Sequence, residues 1–72
     1  MNKKLIAGLL KDLISVGAVY QFINYGETVR FITTDQSVAM YIKIEALKAN
    51  IGFVYREIDR EHLIDIDIGK SD

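Results

Sequence analysis

Apolar residues recur at helical spacing over residues 3–16. Leu5, Ile6, Leu9, Leu10, Leu13, Ile14 and Val16 fall on one half of a helical wheel, and Lys4, Ala7, Gly8, Lys11 and Ser15 on the other. This pattern predicts an amphipathic helix packed by its apolar half. Gly17 offers the left-handed stop. The period then changes. "AVYQFINYGETVRFIT", residues 18–33, is rich in β-branched and aromatic residues around "NYGE" and reads as a β-hairpin. With Tyr25-Gly26 at the tip, Phe22 faces Val29 and Tyr20 faces Phe31 on one side. Ile23–Thr28, Gln21–Arg30 and Val19–Ile32 share the other. That register keeps one face strongly apolar.

A second helix is predicted over "TTDQSVAMYIKIEALKAN", residues 33–50. Thr33 to Gln36 fits a capping box, Thr34 and Asp35 compete as N-caps, and Asn50 and Gly52 offer the stop. Val38, Ala39, Ile42, Ala46 and Ala49 form one apolar stripe, and Met40, Ile44 and Leu47 a second on nearly the opposite side. A helix apolar on two sides is deeply buried or shared with a partner. "GFVYREIDREHLIDIDI", residues 52–68, reads as a second hairpin with Arg60-Glu61 at its tip. Phe53–Ile68, Tyr55–Ile66 and Glu57–Ile64 then share one face, and Val54–Asp67, Arg56–Asp65 and Ile58–Leu63 the other. Residues 69–72 read as a frayed tail, and the last strand as a charged edge strand that resists aggregation.

These elements define a single small α+β domain over residues 1–72, in the order α-β-β-α-β-β. Two hairpins make a mostly antiparallel four-stranded sheet carrying two helices. "GAVYQFIN" (17–24) also lies over "GFVYREID" (52–59), which suggests an internal αββ duplication at an offset of 35 residues.

Composition sharpens this picture. A chain of 72 residues buries little of its own surface, yet half of these residues are hydrophobic. With no Cys and one His, neither disulfides nor a Cys-type metal site reinforces the domain. Val19, Ile23, Ile32, Val54, Ile58 and Leu63 are left on the back of the sheet, where an antiparallel face is normally polar. With the second stripe of the second helix, they predict a homo-oligomer, a C2 dimer being the commonest form. The Lys residues of "MNKKLIAGLL" start like a signal peptide, but Lys11 and Asp12 cut the apolar run short, so a cytoplasmic protein with no membrane partner is expected.

Net charge is −1, unevenly spread. Residues 1–34 carry four bases against two acids, and residues 35–72 five against eight. The balance argues against a nucleic-acid partner, although Tyr20, Phe22 and Phe31 could stack bases on a sheet. His62, Asp65 and Asp67 look like a ligand cluster. Strand parity sends His62 to the opposite face from both Asp, and Arg56 is expected to pair with Asp65. Asp65 and Asp67, about 6.5–7 Å apart along a strand, are spaced for two-carboxylate chemistry but lack a pocket to split their acidities. No nucleophile set and no Gly-rich phosphate loop is present. No enzyme activity, cofactor or metal is therefore expected.

What remains is binding. Two surfaces are candidates for contact with a protein partner. One is Met40, Ile44 and Leu47 on the second helix. The other is the acidic hairpin, Glu57, Asp59, Glu61, Asp65 and Asp67, which suits a basic surface. Asp67, opposite Val54 in this register, is the acid most open to a partner. A dimer sheltering a small ligand near Tyr20, Tyr55, Arg30 or Arg56 is the alternative, and a nucleic-acid-binding module a third. In its compactness and lack of Cys, Pro and a catalytic set, the chain resembles small phage and mobile-element proteins. That likeness of style, carried by no motif, implies an inhibitor or modulator of a host protein.

Overall fold

A computed structural model describes residues 3–69. The elements are α1 (Lys3–Ser15), β1 (Gln21–Asn24), β2 (Thr28–Thr33), α2 (Gln36–Lys48), β3 (Phe53–Ile58) and β4 (Glu61–Asp67). They form a two-layer α+β domain, with both helices packed on one face of a four-stranded antiparallel sheet. The tail over 70–72 lies outside the described residues.

Both helices end by the same device. Gly17 adopts φ +69° after α1, and Asn50 φ +59° after α2, the left-handed conformation that ends a helix while satisfying its last carbonyls. Ala18 N–H donates to Leu13 O at 2.9 Å, and Ile51 N–H to Ala46 O at 3.0 Å. At the start of α2, Asp35 is the N-cap, its carboxylate accepting from Ser37 N–H at 2.8 Å. Thr33 is therefore not the capping residue. Its hydroxyl instead donates to Val19 O at 2.9 Å and accepts from Asp35 N–H at 3.1 Å, tying the entrance of β1 to the exit of β2.

The hairpins form where expected, but each register is shifted by two residues. In the first, Tyr25 N–H donates to Thr28 O, so Gly26-Glu27 is the tip, and Phe22 pairs with Phe31. Gly26 takes φ +86° there. In the second, Asp59 (φ +50°) and Arg60 (φ +70°) are the two turn residues, as the twist-matched two-residue turn requires of both central positions. Tyr55 then faces Ile64, Phe53 faces Ile66, and Val54 faces Asp65 rather than Asp67. Because the shift is even, every strand residue keeps its expected face.

Strand order is β1-β2-β4-β3. β4 is thus central, not an edge. It lies between β2 and β3, and its Ile64 and Ile66 are fully buried under the helices with Phe31 and Val29. From α1 come Ile6, Leu9 and Leu13, and from α2 come Val38, Ala39 and Ile42. Each large side chain buried here contributes about 1.5–3 kcal/mol relative to exposure.

The two αββ halves correspond at a spacing of 33 residues, not 35. α1 and α2 each span 13 residues and start 33 apart. Ile6, Leu9 and Leu13 fall on Ala39, Ile42 and Ala46, all buried. Phe31 falls on Ile64, and these two residues are direct partners in the β2–β4 ladder. The registers of the four strands are therefore symmetric about the Phe31–Ile64 pair, whereas α2 lies closer to the central strands than α1 does. The "GAVYQFIN"/"GFVYREID" likeness misaligns the halves by two, since Gly17 is answered by Asn50 and Phe22 by Tyr55.

Candidate protein-binding surfaces

α2 turns Val38, Ala39, Ile42 and Ala46 inward, and the helical period sends Met40, Ile44 and Leu47 to the far side. They are 48%, 45% and 66% exposed. The neighbouring charges are already engaged: Lys48 Nζ lies 3.2 Å from Glu45 Oε2, and Lys43 Nζ sits 3.8 Å from the centre of the Tyr55 ring.

The acidic residues do not gather into one patch. Glu57 pairs with His62 on the helix side of the sheet, Asp59 is in the turn, and Glu61, Asp65 and Asp67 lie on the open side. Asp65 is neutralised. Arg30, directly opposite on β2, grips it in a fork, Nε to Oδ1 at 2.7 Å and Nη2 to Oδ2 at 3.0 Å. Arg56, the partner expected from sequence, is only a secondary neighbour at 3.9 Å, because the register shift places it opposite Leu63. Hydrogen bonding from Arg30 holds the Asp65 carboxyl below the usual carboxylate range, and the same bond raises the Arg30 guanidinium. Asp67 faces Thr28 rather than Val54, and its Oδ1 accepts from Gly69 N–H at 2.8 Å.

Around the Arg30–Asp65 pair, the open face carries Ile23, Ile32, Leu63, Val54 and Ile58, five of the six apolar residues expected there. Val19 is the exception; it lies before β1 and lines a cleft at the helix ends. His62 is buried in β4, its ring stacked on Tyr55 and its Nδ1 2.6 Å from Tyr55 Oη. His62 and Asp65 thus lie on opposite faces of β4. Tyr20, Phe22 and Phe31 are core rings: Phe31 is fully buried, with Phe22 edge-on at 5.2 Å and Tyr20 at 6.0 Å. For the small-ligand alternative, Tyr20 and Tyr55 lie on the helix side of the sheet and Arg30 and Arg56 on the other, so these four residues do not form a single site.

One surface was not visible in the sequence. Where α1 ends beside the start of α2, a cleft of about 580 Å³ opens. Val16 and Val19, 77% and 78% exposed, and the buried Val38 all line it. Asp12 and Asp35 also line it. Tyr41 Oη donates to Asp12 Oδ2 at 2.6 Å, and this bond to a carboxylate pushes the phenol pKa up to about 12. Helical and strand periods assign Val16 to the packed half of α1 and Val19 to the sheet. The only contrary signal is the stop at Gly17, which takes both out of those periods.

No family model, curated protein or solved structure matches this chain.

Proposed function

We propose that this protein acts without catalysis, by binding protein, and that it does so as a homodimer. It would work as a small regulator or inhibitor that occludes the surface of a macromolecular partner. The observation that carries this reading is the outer face of α2. Met40, Ile44 and Leu47 form an exposed apolar stripe on a helix whose opposite side is already committed to the core. Exposed contiguous apolar surface on a small domain marks an interaction site.

A second copy is the occupant that suits this stripe. A twofold contact needs a single patch that complements itself, and an apolar helix face meets that condition. Its flanking charges oppose it little, since Lys48 is paired with Glu45 and Lys43 rests on Tyr55. Light scattering at tens of micromolar should give about twice the 8.2 kDa chain mass. Met40→Asp with Ile44→Asp should return the monomer while leaving the circular dichroism spectrum unchanged. An 8.2 kDa wild-type particle would refute the dimer, and an unchanged dimer in the double variant would move the contact to the open sheet face.

A further inference from the structure

The two αββ halves allow an internal comparison of what the fold requires at each helix end. After α1 the chain reads Ser15-Val16-Gly17-Ala18-Val19, and after α2 it reads Lys48-Ala49-Asn50-Ile51-Gly52. The backbone follows the same path in both. Val16 N–H donates to Asp12 O at 3.2 Å, as Ala49 N–H does to Glu45 O at 3.1 Å. Gly17 N–H donates to Ile14 O, as Asn50 N–H does to Leu47 O.

The side chains diverge. The packed position is Ala18 in the first half and Ile51 in the second. At the positions answering Val16 and Val19 the second half carries Ala49 and Gly52, so the same chain path forms there without a large exposed apolar side chain. Glu45 is matched by Lys48, whereas Asp12 bonds Tyr41. Among the described residues no Lys or Arg lies within salt-bridge distance of Asp12 or Asp35. An apolar wall and two carboxylates without a cation thus meet in one cleft of about 580 Å³, a size that accommodates side chains of a bound ligand. An anion is disfavoured even at the start of a helix, because the Asp35 carboxylate occupies Ser37 N–H and Asp12 adds a second negative charge.

We infer that this cleft receives a segment of a partner protein carrying an apolar side chain beside an Arg or Lys. The apolar group packs between Val16, Val19 and Val38, and the cation meets Asp12 and Asp35. This inference rests on the protein-binding reading and gives the partner a site separate from the outer stripe of α2. A dimer would then present two such clefts.

The test is an amide NMR titration of the full chain with two blocked tripeptide probes, acetyl-Leu-Arg-Leu-amide and acetyl-Leu-Glu-Leu-amide. The Arg probe should shift the amides of residues 16–19 and of Ser37, Val38 and Tyr41 and bind more tightly than the Glu probe. Val16→Ala with Val19→Ala removes four methyl groups from exposed positions and should weaken binding about tenfold or more. Asp12→Asn, which keeps an acceptor for Tyr41, should erase most of the Arg-over-Glu preference. Neither change should alter the mass found by light scattering. Equal binding of the two probes would overturn the charge assignment. Shifts confined to Met40, Ile44 and Leu47 would overturn the cleft while keeping the protein-binding reading, as would absence of any shift at millimolar peptide if the dimer persists.

Discussion

Phe31 offers the sharpest test of the packing described above. It is fully buried in the central β2–β4 ladder, opposite Ile64, with Phe22 edge-on at 5.2 Å and Tyr20 at 6.0 Å. Each such ring pair adds about 0.5–1.5 kcal/mol beyond burial, and complete truncation of a buried Phe costs about 3–5 kcal/mol. A domain of this length holds only about 4–11 kcal/mol in total, so Phe31→Ala brings it close to unfolding. Phe31→Leu is the better instrument. It keeps most of the apolar volume and loses both ring contacts, for an expected cost of about 2 kcal/mol. With a urea slope of about 1 kcal/mol per molar, the unfolding midpoint should fall by about 2 M at unchanged slope. Val54→Ala, at an exposed position on the edge strand, is the control and should move the midpoint by less than about 0.5 M. Protein concentration must be held constant, because dimerisation would add to apparent stability. If Phe31→Leu moved the midpoint no further than Val54→Ala, the Phe31–Ile64 pair would not be the centre of the core.

Two more predictions follow from the turn and the ion pair. Arg60 holds φ +70° at a turn position that favours glycine, so Arg60→Gly should stabilise the protein by up to about 1 kcal/mol, read as a higher urea midpoint; a loss of stability would contradict the turn geometry. The Asp65 carboxyl has its pKa lowered by Arg30, so its contribution is present above the unfolded-state value and is lost as pH falls through the lower folded value. The stability gap between wild type and Asp65→Asn should therefore be full at neutral pH and shrink in acid below about pH 4; a gap that widened in acid would reverse the sign of this linkage.

Periodicity alone located the elements and most of their faces; Ile14 and Val16, on the apolar half of α1, and Val19, ahead of β1, are exposed instead. Period 3.6 marked α1 and α2, period 2 marked the strands, and Gly17 and Asn50 marked the helix stops. Facing survived even where both registers slipped, because a two-residue shift leaves each side chain on its own side of the sheet. The exposed stripe at Met40, Ile44 and Leu47 was legible for the same reason. The tips are less legible: Gly26 marks the first turn but not its position within it, and Asp59 and Arg60 take positive φ in the second with no glycine to announce it. Only the tertiary structure decided that β4 lies beside β2. No local pattern encodes that pairing, which joins strands far apart in the chain. From it follow the Arg30–Asp65 fork, the Phe31–Ile64 pairing and the dispersal of the acidic residues over two faces. The cleft at Val16 and Val19 likewise exists only because the end of α1 is brought beside the start of α2.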